Sequence, residues 1–151
     1  MKIVNKNMFG GFVLGVLSLM LCTTASADEE WPMYGTDFWD VTAVEIKDGG
    51  FWQYANWLSD EWRKNSEFAK SKGWIKDYVI LSNVHARKGE PDLYIIRIVE
   101  SVPSGAEGEK RAKEYAAWSK KTEEKMNEES GDRAEYREVQ GSSLLQVLKF
   151  R

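Results

Sequence analysis

The chain has 151 residues, of which 42% are hydrophobic, 13% aromatic and 30% charged, and its formal net charge at pH 7 is −3. This length suits a single domain, and the acidic balance argues against nucleic acid or an anionic membrane surface as a partner. With one cysteine and one histidine, the chain has too few of the usual ligands for a zinc site.

The first 27 residues are typical of a cleavable signal peptide. Lys2 and Lys6 form a basic start, residues 8–22 are apolar, and Ala-Ser-Ala at residues 25–27 supplies the small-residue cleavage pattern. A retained membrane anchor is the alternative, but the apolar stretch is shorter than the roughly 20 residues that a membrane span needs.

Cleavage leaves 124 of the 151 residues and changes the net charge from −3 to −5, because two lysines are removed. It also removes Cys22, so the mature chain cannot contain a disulfide. We predict an exported protein, periplasmic or secreted, that has no membrane contact after cleavage. Residues 28–37 are predicted to be an N-terminal extension, and residues 38–151 the folded domain.

The first predicted elements end at clear turn signals. A strand over residues 38–47 stops at an Asp-Gly-Gly turn, and a helix follows over residues 51–72. Gly73 is a natural C′ residue for the end of this helix. The helix has an apolar stripe at spacings of three, four and seven residues, formed by Phe51, Tyr54, Ala55, Leu58, Trp62 and Ala69.

The remaining predicted elements are a strand (78–85), a hairpin loop (87–92), a strand (93–100), a helix (106–127), a connector (133–140) and a strand (143–150). Ser104 is the predicted N-cap of the second helix. On a continuous helix, Lys120 would attract Glu124, and Lys121 would repel Lys125.

Three of these strands contain runs that are apolar on both faces, at residues 78–81, 93–99 and 144–150. A strand with one face in water alternates apolar and polar residues, whereas a strand covered on both faces is a continuous apolar run. Two helices can cover only one face of a small sheet. We therefore predict that a second copy of the chain covers the other face in a homodimer.

The element order predicts an α+β fold of the ferredoxin-like βαββαβ type, a four-stranded antiparallel-type sheet with two helices on one face. Right-handed crossovers place the first and third strands in the middle. From this order and the doubly apolar strands, residues 38–151 resemble the dimeric α/β-barrel superfamily, in which two such sheets pack face to face. The resemblance implies a homodimer.

That superfamily includes cofactor-free monooxygenases, muconolactone isomerases, chlorite dismutases, haem-degrading enzymes and small stress-induced proteins, so the fold does not select a function. The haem-degrading branch uses a histidine on the second helix, and this chain has none there. The chain also resembles small exported bacterial proteins of unassigned activity.

His85 is the candidate catalytic residue, because an imidazole near neutral pH serves as a general base or as an axial haem ligand. Haem is therefore one possible cofactor, although none is required. The alternative is a strand-end histidine that hydrogen-bonds near the hairpin. Asn83 lies two residues earlier, so on a strand both side chains point to one side and into one pocket.

Arg97 lies between two isoleucines on a predicted central strand. A buried cation needs a partner, and Glu45 on the first strand is the predicted one. The alternative is an anion site in which Arg97 binds the carboxylate of a ligand.

Two tryptophans of the first helix complete the candidate site. Trp62 belongs to the apolar stripe and is typical of a core residue. Trp57 lies off the stripe, where it can line the mouth of a cleft, stack on a sugar or cover the rim of the dimer.

We therefore expect an exported homodimer that binds a hydrophobic or aromatic small molecule between sheet and helices. The predicted ligand-binding residues are Asn83, His85, Arg97, Glu45, Trp57 and Trp62. One alternative is a cofactor-free monooxygenase- or isomerase-type enzyme in which His85 accepts a proton from an activated substrate carbon. The other is a structural or stress-related dimer with no ligand.

Overall fold

The structure, a computed structural model, describes residues 30–151. The predicted signal peptide and the first two residues of the predicted extension lie outside the described residues. The elements are β1 (Met33–Ile46), α1 (Phe51–Trp57), a π-helical turn (Leu58–Trp62), α2 (Arg63–Ser71), β2 (Asp77–Ser82), β3 (Leu93–Val99), α3 (Gly105–Ser119), α4 (Glu123–Asp132), a 3₁₀ turn (Arg133–Glu135) and β4 (Arg137–Phe150).

The four strands form one antiparallel sheet in the order β2-β3-β1-β4. The first and third strands are therefore central, as predicted, and the α+β class is confirmed. Within residues 30–151, no helix is long and apolar enough to cross a membrane.

β1 and β4 are longer than the sequence indicated. β1 starts at Met33, which pairs with Phe150, so residues 33–37 belong to the sheet and not to a loose extension. β4 starts at Arg137, six residues before the predicted start. Residues 138–143 are mostly polar or glycine and gave no sign of a strand, but the pairing with β1 overrides their weak β propensity.

α1, the π-helical turn and α2 follow one another without a break, and we call them together the long first helix. Its buried side chains recur every fourth residue, at Tyr54, Leu58, Trp62 and Ser66. In a regular α-helix, positions four residues apart drift by about 40° around the axis. The wider π turn offsets part of this drift and keeps the row of side chains directed at the sheet.

The end of this helix follows the predicted glycine signal. Gly73 has a φ of +69°, and its N–H donates to the carbonyl of Lys70 at 3.0 Å, while the N–H of Trp74 donates to the carbonyl of Ala69 at 2.9 Å. These two bonds form a Schellman-type cap, which turns the chain toward β2.

The main core lies between the long first helix and one face of the sheet, which we call the helix side. Tyr54, Leu58 and Trp62 pack there against Val44 of β1 and against Leu93 and Ile95 of β3. Because side chains alternate along a strand, Arg97 points to the same side as Leu93 and Ile95. The opposite face is called the far side.

The prediction of one second helix over residues 106–127 was wrong. Ser104 caps α3 as predicted, accepting the N–H of Glu107 at 3.3 Å. However, α3 stops at Ser119, Lys120 is left-handed with a φ of +55°, and Thr122 caps a new helix by accepting the N–H of Lys125 at 3.1 Å. The predicted interactions of Lys120 and Lys121 required a continuous helix and are therefore not formed, and Lys121 bonds to Glu61 and Glu129 instead.

Candidate functional site

Among the cavities of the described residues, two on the helix side are lined both by Trp62 and by other residues of the long first helix. The first, which we call the apolar cavity, has a volume of about 370 Å³ and lies between the long first helix and the β2–β3 edge of the sheet. It is lined by Phe51, Ala55, Leu58, Ser59, Trp62, Arg63, Tyr78, Ile80 and Leu93.

The polar residues that line the apolar cavity place no charge in its interior. Arg63 and Ser59 are exposed residues of the long first helix. The hydroxyl of Tyr78 donates to Glu67 at 2.6 Å, and its ring meets Trp62 edge to face, with the centroids 5.2 Å apart. The cavity thus offers apolar and aromatic surface, as pockets for apolar small molecules do.

The second cavity, which we call the arginine cavity, has a volume of about 280 Å³ and lies on the β1–β4 side of Trp62. It is lined by Thr42, Tyr54, Trp57, Trp62, Asn65, Ile95, Arg97, Arg133, Arg137 and Val139. Three arginines therefore face one cavity, and no acidic residue is part of its described lining.

Each arginine of this cavity rests on an aromatic ring of the long first helix. The guanidinium carbon lies 4.3 Å from the ring centroid of Trp57 for Arg133, 5.6 Å from that of Tyr54 for Arg137, and 5.8 Å from that of Trp62 for Arg97. Such cation–π contacts hold a guanidinium group by its face and leave its N–H edge free to bind an acceptor.

The three guanidinium groups are short of hydrogen-bond partners. The Nε atoms of Arg97, Arg133 and Arg137 are all buried without an acceptor, and Arg137 is only 9% exposed. Burial lowers the pKa of Arg97, an effect that the charge of Asp40 partly offsets. Among the described residues, no carboxylate forms an ion pair with any of the three.

One side of the arginine cavity is braced by a polar network. The indole N–H of Trp57 donates to Glu61 at 3.1 Å, and the ammonium group of Lys121 bonds both to Glu61 and to Glu129, the latter at 2.7 Å. These bonds raise the pKa of Lys121, with Glu129 as the larger cause. The network ties α4 to the π turn, and its two carboxylates are occupied by Lys121.

The structure brings three of the six predicted ligand-binding residues together. Arg97, Trp57 and Trp62 all line the arginine cavity. Trp62 is also a core residue, 6% exposed, so it takes part in both the core and the cavities.

Asn83 and His85 lie elsewhere. β2 ends at Ser82, so both residues belong to the loop before β3, and the expectation that strand alternation aligns them was wrong. Asn83 donates from Nδ2 to the carbonyl of Pro91 at 3.1 Å, which ties the two ends of that loop. His85 is exposed, and neither residue lines the apolar or the arginine cavity.

The predicted pairing of Glu45 with Arg97 was also wrong. The register between β1 and β3 places Asp40 opposite Arg97, and Glu45 accepts a hydrogen bond from Gln140 of β4 at 2.6 Å. The sequence did not reveal this register. Since Glu45 is an odd-numbered residue of β1 like Val41 and Ala43, it lies on the far side.

Sequence reasoning missed Arg133 and Arg137, because both fall in the stretch interpreted as a connector of undefined form. A weak signal was present. Arg133, Tyr136 and Arg137 place two cations and a ring within five residues, which is unusual for a plain solvated connector. Only the packing of this stretch against Tyr54 and Trp57 turns it into a wall of a cavity.

Comparison with protein-family models, with curated proteins and with solved structures finds no match to this chain. Among residues 30–151, no group of three or more histidine, cysteine or acidic side chains is placed to hold a metal ion. The apolar cavity and the arginine cavity therefore define the candidate functional site.

Proposed function

We propose that the protein binds a hydrophobic or aromatic small molecule between the sheet and the long first helix. The observation that carries this proposal is the apolar cavity, whose volume of about 370 Å³ falls in the range of small-molecule pockets. A cavity of this size lined by apolar side chains leaves them without packing partners, a loss that an apolar ligand would offset.

The π turn supports the same proposal. π turns within α-helices are rare and occur frequently at functional sites. This one comprises Leu58–Trp62, and its two buried ends, Leu58 and Trp62, both line the apolar cavity.

Filling the apolar cavity tests the proposal. Ala55 is a half-buried lining residue, so Ala55→Phe places a ring in the space that the ligand would take. Titration with N-phenyl-1-naphthylamine, a neutral fluorescent probe, should saturate at one site per chain in the wild type. The affinity of Ala55→Phe should be at least about tenfold lower, which corresponds to a loss of about 1.4 kcal/mol.

The matched control is Ala117→Phe, which places the same ring on the exposed face of α3 and should bind like the wild type. Equal binding by Ala55→Phe and the wild type, or fluorescence that never saturates, would contradict the proposal.

We propose also that the sheet is ferredoxin-like and forms a homodimer through its far side, as in dimeric α/β barrels. The strand order and the contacts of the helices with the helix side are what this topology requires, and the apolar far side supports the dimer. The signal-peptide pattern of residues 1–27 supports the further proposal that the protein is exported.

A further inference from the structure

We infer that the arginine cavity is a second binding site, specific for the carboxylate of a small aromatic acid, with Arg97, Arg133 and Arg137 as its anion-binding groups. This site goes beyond the proposed function, because it lies across Trp62 from the apolar cavity and does not need that cavity to be filled.

The arginine cavity brings several positive charges together in one wall. Three cations line a space of about 280 Å³, and a buried charge is costly unless it is paired and hydrogen-bonded. Several other cations of the described residues form ion pairs with carboxylates, for example Lys121 with Glu61 and Glu129. Within the described residues, none of the three arginines of the cavity forms an ion pair, although the charge of Asp40 acts on Arg97. An anion would supply the charge that this part of the fold lacks.

The same wall contains several buried hydrogen-bond donors that have no acceptor. The Nε atoms of Arg97, Arg133 and Arg137 are buried without acceptors, and all three residues line the cavity. Arg137 as a whole is only 9% exposed. Native structures leave few such atoms unsatisfied, and each one calls for an explanation, of which a bound anion is one. A guanidinium edge presents paired donors that match the two oxygens of a carboxylate.

Aromatic rings stand beside the arginines in the cavity wall. The rings of Tyr54 and Trp57 stack on each other, with centroids 5.5 Å apart and planes inclined by 7°, and both line the cavity. Because Arg133 also lies over the ring of Trp57, these rings offer a ligand their edges. The edge of a ring packs well against the face of another aromatic ring, which favours a flat aromatic ligand that carries its charge at one end. An aromatic monocarboxylate has this form, whereas inorganic phosphate would use the arginines and leave the rings unused.

Matched pairs of acids and amides test the inference. Benzoate and 2-naphthoate, each with its carboxamide, are titrated by calorimetry at constant ionic strength. Each acid should bind at least about tenfold more tightly than its amide. In Arg137→Gln this preference should fall at least tenfold, while the neutral dye of the apolar cavity still binds as in the wild type.

Arg87→Gln is the control, because Arg87 is a largely exposed arginine of the loop before β3, with 87% of its side chain accessible. This variant should keep the full preference for the acids. Arg133→Gln, at a half-buried position, replaces Arg137→Gln if that variant does not fold, and it should lose the same preference.

Three results would overturn the inference. They are equal binding of acid and amide, an Arg87→Gln effect as large as that of Arg137→Gln, and displacement of 2-naphthoate by an equal concentration of inorganic phosphate. Binding of the neutral dye at the apolar cavity is measured separately from binding of the acids. Failure of the carboxylate site is therefore distinguishable from failure of the proposed function.

Discussion

At the scale of single residues, Tyr54 links the core to the arginine cavity. It is 2% exposed, and burial raises the pKa of its phenol from 10.0 to about 12, although the charges of Arg137 and Arg133 act in the opposite direction. The proton is therefore held more tightly in the folded protein than in the unfolded chain.

The sign of the resulting pH dependence follows from this difference. Well below pH 10, Tyr54 is protonated in both states and its titration does not alter stability. Between pH 10 and about pH 12, the unfolded chain loses the proton first, so the free energy of unfolding falls as the pH rises, by up to about 1.4 kcal/mol per pH unit from this one group.

Tyr54→Phe should remove this contribution. We expect urea unfolding at pH 9, 10 and 11 to show a shallower loss of stability in the variant than in the wild type. Tyr34→Phe, at a tyrosine that is 43% exposed, is the control and should keep the wild-type slope. An unchanged slope in Tyr54→Phe would show that another group carries the alkaline instability.

At the scale of elements, the sequence predicted those helix ends that a single residue type determines. The helix end at Gly73 and the cap at Ser104 were found because a glycine or a hydroxyl at the right place is sufficient to form them. The break at Lys120 was missed because lysine is a good helix former and nothing in its type indicates a left-handed backbone. The register of β1 against β3 was equally hidden, since it depends on packing.

Lys120 gives a sharp test of the helix break. A left-handed backbone costs a non-glycine residue about 1–2 kcal/mol, and Lys120 has a φ of +55° as the C-cap of α3. Lys120→Gly should therefore raise the free energy of unfolding by about 1 kcal/mol, measured by chemical denaturation.

Lys113→Gly should have the opposite effect and lower the free energy of unfolding. Lys113 is exposed in the middle of α3, where glycine costs about 1 kcal/mol relative to a good helix former. If both variants lose stability, α3 and α4 form one continuous helix in solution.

At the scale of the whole molecule, the far side of the sheet carries an apolar surface across all four strands. The register aligns side chains of neighbouring strands into rows across this face. One row contains Leu81, Tyr94 and Ala43, and another contains Ile98, Trp39 and Leu145. The centre of this face is buried at Val41 and Ile96, whereas Leu81 and Leu145 at its two edges are 45% and 53% exposed.

β4 adds to this exposed surface because it is an outer strand. Three apolar residues of β4 lie on its helix side and are exposed: Leu144 by 52%, Leu148 by 47% and Phe150 by 81%. A long outer strand with apolar residues exposed on both faces is a surface that natural proteins cover or pair. The proposed second copy of the chain would meet this need on the far side, where the apolar rows reach both edges.

The homodimer is tested by Leu145→Glu, which puts a charge into the proposed interface without touching the helix side. In sedimentation velocity at micromolar concentration, the wild type should be a dimer and the variant largely a monomer, with an unchanged circular dichroism spectrum. Val84→Glu, which changes an 80% exposed valine in the loop before β3, should remain a dimer. A monomeric wild type, or dimers in all three proteins, would mean that the far side is not the interface, because a buried glutamate cannot be accommodated there without a large loss of affinity.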